Sequence, residues 1–172
     1  MTMQLLIKIS NIIDRISEFL GTISMYLVLL TVAIGFFNVA ARYFDRFRFI
    51  ESQVSSNVFI ELQWYLYSLV FFFGFSYILK NGINVRVDFL YANWPRKRQA
   101  TVDFIGHLLF LLPFCILGIY VTINPVLYSW GQLPDGTFGT WEMSPDPNGL
   151  PRAPIKSMII LAFGMLLLQT IS

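Results

Sequence analysis

Apolar residues along this chain collect into four long runs separated by shorter polar stretches. No Asp, Glu, Lys or Arg falls between Phe19 and Ala41, between Leu62 and Leu79, between Phe104 and Ile123, or between Ser157 and Ser172. A helix needs about 20 apolar residues to cross a bilayer. The first three runs meet that length. The fourth begins near Pro154 or Ile155 and barely does. The pattern therefore predicts an all-α integral membrane protein, a single four-span domain over residues 1–172. Its transmembrane helices fall near 19–41, 60–79, 103–123 and 155–172, and its outer loop over 124–154. The fourth run closes on Leu168-Gln169-Thr170-Ile171-Ser172 without a basic anchor, as in a chain that continues further. The first run exceeds a signal-peptide core of about 7–15 residues and no clear Ala-x-Ala site follows it, so it reads as a retained anchor.

Residues 1–18 place Leu5, Ile9, Ile12, Ile13 and Ile16 between Lys8, Asp14, Arg15 and Glu18. That spacing fits an N-terminal amphipathic helix lying on the membrane. It fits equally the polar start of a longer first helix. The alternation in Asn84-Val85-Arg86-Val87-Asp88-Phe89-Leu90 suits an interfacial segment, with Arg86 and Asp88 turned to water or a partner.

The loops set the orientation. Lys80, Arg86, Arg96, Lys97 and Arg98 fall in the second loop, Arg42, Arg46 and Arg48 in the first, and Arg152 and Lys156 at the end of the third. The dense Arg96-Lys97-Arg98 cluster places the second loop, and with it the N-terminus, in the cytoplasm. The same cluster is a candidate for anionic lipid. Trp64, Trp94, Trp130 and Trp141 fall at span ends or in loops, where amphipathic rings settle at the interface.

Composition narrows the function. At 56% hydrophobic and 13% charged, the chain is neither an ordinary soluble enzyme nor a disordered segment. A net charge of +2 leaves no nucleic-acid footprint. A lone cysteine, Cys115, excludes an internal disulfide framework and a Cys-based zinc cage, and a lone histidine, His107, excludes a bis-histidine haem. No P-loop, HExxH, GxGxxG or Ser/His/Asp set is present, so no enzyme activity and no cofactor are implied.

Intramembrane ionisable groups mark ion pathways. None sits at a bilayer centre here, so the chain is not expected to move a solute alone. Glu61, at the start of the second span, stands where a carboxylate favours the helix N-terminus. It reads either as an interfacial anchor paired with Arg42 across neighbouring helix ends or as a proton-coupling group. His107 reads as structural for want of a second ligand, Asp103 as a helix-terminal charge, and Pro113 as a kink.

These residues stand in an order with a counterpart. Asn38-Val-Ala-Ala-Arg42-Tyr43-Phe44 closes the first span, and Glu61-Leu62-Gln63-Trp64-Tyr65-Leu66 opens the second. Tyr77-Ile-Leu-Lys80-Asn81-Gly82 closes that span, and Asn84-Val85-Arg86-Val87-Asp88 follows. Gly106-His107, Pro113-Phe114, Ser129-Trp130, Glu142-Met-Ser144, Gly149-Leu150-Pro151, Lys156 and Leu168-Gln169 come after. From about residue 20 onward, the series resembles the small, Q-type (DctQ-like) membrane subunit of tripartite ATP-independent periplasmic (TRAP) transporters. The family often has a histidine ahead of Arg-Val-Asp. Asn84 stands there in this chain, so no role of that histidine carries over.

The resemblance implies a small permease subunit in the bacterial inner membrane. Its partners would be a large multi-span subunit, a periplasmic substrate-binding protein and membrane lipids, and its transporter would import an organic acid with sodium. Arg42, Tyr43, Glu61, Gln63, Trp64, Arg86 and Asp88 then become structural or partner-facing. Trp130, Trp141, Glu142 and Arg152 become candidates for docking the binding protein. Two rivals fit the bare pattern. One is a self-assembling proton-coupled exporter using Glu61. The other is an anchor subunit of a membrane oxidoreductase whose cofactors lie in other chains.

Overall fold

The computed structural model describes residues 2–47, 56–83 and 91–172. Among them, helices are α1 (Thr2–Arg46), α2 (Asn57–Lys80), α3 (Arg96–Gly106), α4 (Leu112–Ser129) and α5 (Ala153–Ile171). A π turn over His107–Leu111 joins α3 to α4 into one long span. Four helical stretches are thus long and apolar enough to cross a membrane. Expected residues Arg48, Arg86 and Asp88 lie outside the described residues, as does the interfacial segment 84–90.

Each boundary has a local cause. The Ser56 hydroxyl accepts the Val58 N–H at the start of α2. At its end, Gly82 takes a positive φ of 63°, and Ile83 N–H reaches back to the Ile78 carbonyl. That is the Schellman closure, which satisfies the last free carbonyls. The end of α4 repeats it: Gly131 has φ 89°, and Gln132 N–H reaches the Leu127 carbonyl. The π turn sits just before Pro113, which has no N–H and whose ring would press on the carbonyl one turn back. Widening the helix makes room, and the Leu112 N–H bonds instead to the His107 carbonyl.

Of the two readings open for residues 1–18, the structure has the longer helix. α1 runs unbroken for 45 residues. At about 1.5 Å per residue it is about 67 Å long, more than twice the hydrocarbon thickness of about 30 Å. The salt bridge from Lys80 to Glu18 marks where α2 stops beside it. The turns of α1 before that point are met by the end of α5. There the Ser17 hydroxyl donates to Gln169 Oε1 at 2.6 Å, and Gln169 Nε2 donates to Asp14 at 2.9 Å. Ser10 and Ser172 hydroxyls lie 2.7 Å apart.

The spans do not close into a bundle. α1 packs along α2, α2 along α5, and α5 along α4, while α1 meets α5 mainly near these polar contacts. The last helix therefore stands between α2 and α4, and the four form a row with α1 and α4 at its ends. Close approach holds the row together, as expected where lipid removes the hydrophobic drive between helices. A Cβ on Gly118 would lie 2.6 Å from the Phe163 ring, so that ring of α5 packs directly on the α4 backbone. Between α1 and α2, the Ser24 hydroxyl donates to the Val70 carbonyl at 2.7 Å.

Candidate functional site

The long loop between α4 and α5 is a folded element. Helical structure continues past the expected end at 123 to Ser129, because Pro125 removes only one backbone bond. The loop proper therefore begins at Trp130. Leu133-Pro134-Asp135-Gly136 makes a tight turn, with the Gly136 N–H on the Leu133 carbonyl and Gly136 at φ 83°. Proline at the second position and glycine at the fourth suit that geometry. Asp135 steadies the turn by accepting the Thr137 hydroxyl and N–H at 2.7 and 3.1 Å, which also hold its carboxyl below the usual carboxylate range.

The rest of the loop is stitched to the helix ends. Glu142 N–H donates to the Ser129 carbonyl and Arg152 N–H to the Glu142 carbonyl, both at 2.9 Å. The Glu142 carboxylate accepts Lys156 Nζ and, at 2.5 Å, the Ser129 hydroxyl, with Arg152 Nη1 3.9 Å away. Its carboxyl is held below the usual range by the Lys156 hydrogen bond first, then by Ser129, then by the Lys156 and Arg152 charges. The Trp130 indole N–H donates to Ser157 at 2.8 Å, and its ring meets Trp141 edge-on at 4.7 Å.

α2 grips the same loop from the other side. Glu61 and Tyr65 are four residues apart and so share a face of the helix. Glu61 is only 8% exposed, and its carboxylate accepts the Leu150 N–H. Ser144 and Arg152 complete its surroundings. The Tyr65 hydroxyl donates to the Pro151 carbonyl at 3.0 Å. The expected partnership of Glu61 with Arg42 is thus replaced by one with the loop. The Arg42 side chain is exposed on the last turn of α1, while Glu61 turns inward to a backbone N–H that would otherwise be unpaired.

The other expected residues are spread out. Tyr43 is exposed, and its ring meets that of Phe47 tilted at 51°, with centroids 4.6 Å apart. Gln63 lies over Gly35 of α1, close enough that a Cβ there would sit 2.6 Å from Nε2. Trp64 is exposed and tilted on Tyr65 at 5.6 Å. Arg96, Lys97 and Arg98 form the exposed first turn of α3, at the end of the spans away from the loop. Nothing in the sequence pattern gave Tyr65, Ser129, Lys156 or Ser157 a part in holding the loop. The spacing of Glu61 and Tyr65 was the one signal available for a shared contact. Leu133, Phe138, Trp141 and Met143 remain exposed on the clamped loop.

Four apolar spans, with a loop hydrogen-bonded to three of them, define a multi-pass membrane protein. The family model described as "Tripartite ATP-independent periplasmic transporters, DctQ component" matches residues 31–172. The chain belongs to that family and is a small, Q-type subunit of a TRAP transporter. No curated protein and no solved structure matches it.

Proposed function

We propose that this chain is a non-catalytic scaffold: it holds the large transport subunit in the bacterial inner membrane and helps dock the periplasmic binding protein. The transporter takes up an organic acid with sodium. The N-terminus lies in the cytoplasm, and the loop from Trp130 to Arg152 faces the periplasm. The observation that carries this reading is the open row of helices. Its flanks are apolar and exposed, as at Phe36 and Tyr120, which are 77% and 75% accessible. No charged group lies midway along any described span. Such a row offers wide surface to a membrane partner and no path to a solute. The clamped loop, with Leu133, Phe138, Trp141 and Met143 outward, supplies a preformed docking face. Sodium coupling and the organic acid come from the family likeness.

Purification in gentle detergent from the native membrane tests the scaffold. A stoichiometric, much larger multi-span protein is the expected companion. A homo-oligomer with nothing else bound would overturn the reading. Deleting Gly136–Trp141 is expected to abolish docking of the binding protein while the large subunit stays attached. Intact docking would remove the loop from the proposal.

A further inference from the structure

At the opposite end of the spans from the long loop, a pocket of about 620 Å³ opens at the start of α3. Trp94, Pro95, Lys97, Arg98, Thr101 and Val102 line it. Lys97 and Thr101 are four residues apart, as are Arg98 and Val102, so these four share one side of the helix. The wall is fixed in place. Gln99 Nε2 donates to the carbonyls of Tyr91 and Trp94 at 3.0 and 3.1 Å, tying the Trp94 segment back onto α3.

The described lining carries two cations and no acid. The Lys97 and Arg98 side chains are exposed and, among the described residues, form no ion pair. Asp103, the acid on the same helix, is held by the Tyr91 hydroxyl at 2.5 Å and does not line the pocket. Below the two cations, Val102, Ile105 and Leu109 are exposed at helical spacing and form an apolar track running from the pocket along the span. A cationic rim with an aromatic wall and an apolar track beneath it has the layering of one phospholipid, with phosphate, glycerol and acyl chain in turn.

We propose that this pocket binds an anionic phospholipid, its phosphate between Lys97 and Arg98 and an acyl chain along Val102, Ile105 and Leu109. The reading is independent of the proposed scaffold role. A soluble phosphate would use the cations and leave the apolar track empty.

Native mass spectrometry of the purified full chain tests it, after incubation with dioleoylphosphatidylglycerol, dioleoylphosphatidylcholine or glycerol phosphate. Phosphatidylglycerol is expected to be retained in clear excess over the other two. Lys97→Gln and Arg98→Gln are each expected to lower that retention about fivefold, the effect of one basic group at an anionic surface. Arg96→Gln removes the same charge outside the pocket lining and is expected to leave retention nearly unchanged. Circular dichroism on each variant establishes that the helices are kept. Equal retention of the two lipids, equal retention of glycerol phosphate, or an Arg96→Gln loss as large as that of Lys97→Gln would each overturn the proposal.

Discussion

A buried carboxylate near the end of a membrane helix needs hydrogen-bond donors, and Glu61 finds one 89 residues away in the Leu150 N–H. Removing one partner of a buried hydrogen bond leaves the other desolvated, at a cost of about 1–3 kcal/mol. Glu61→Ala is therefore expected to lower the thermal midpoint in detergent and to open residues 144–151 to protease. Glu61→Gln keeps an oxygen for the Leu150 N–H and is expected to retain most of the protection. Unchanged protease resistance in Glu61→Ala would mean that Tyr65 and the Glu142 contacts hold the loop unaided.

Two helices end on the same device, a glycine in the left-handed region that lets the chain reverse. At Gly131 the demand is double, because a Cβ would also lie 2.6 Å from the Thr140 carbonyl oxygen. Gly136 has a similar φ and nothing within 4 Å of a built Cβ. Gly136→Ala is expected to cost only the left-handed penalty, about 1–2 kcal/mol, and Gly131→Ala distinctly more, read as paired thermal midpoints. Equal costs would remove the clash from the account. At this scale the sequence was readable where one property decides. Uncharged runs mark spans because lipid excludes charge, and the π turn falls beside Pro113, where a kink was expected. The unbroken passage of α1 through Glu18 was not readable, because a surface helix and the polar start of a span share one periodicity. Nor was the clamp on Glu61, since Arg42 was the partner suggested by neighbouring helix ends and Leu150 is remote in the chain.

Across the whole molecule, Glu142 ties the loop to α4 and α5 at once, through Ser129 and Lys156. Its carboxyl is held below the ordinary value of 4.5, so the stabilisation is complete above that value and is lost as pH falls through the lowered one. Acidification from neutrality is expected to leave the loop unchanged until about pH 4.5. Below that, the close approach of Trp130 and Trp141 should loosen, as followed by tryptophan fluorescence. Glu142→Gln is expected to flatten this acid transition, and a transition unaltered in that variant would assign it to another group. The row of helices has a further consequence, in time. α5 is made after both α2 and α4, yet it stands between them, and Gln169 is 152 residues downstream of the Ser17 it must meet. At synthesis rates of about 5–20 residues per second, Ser17 waits roughly 8–30 s for that partner. From its own completion until α5 follows it, α4 has no neighbour in the row, and the growing chain is two separate halves that α5 joins by insertion between them.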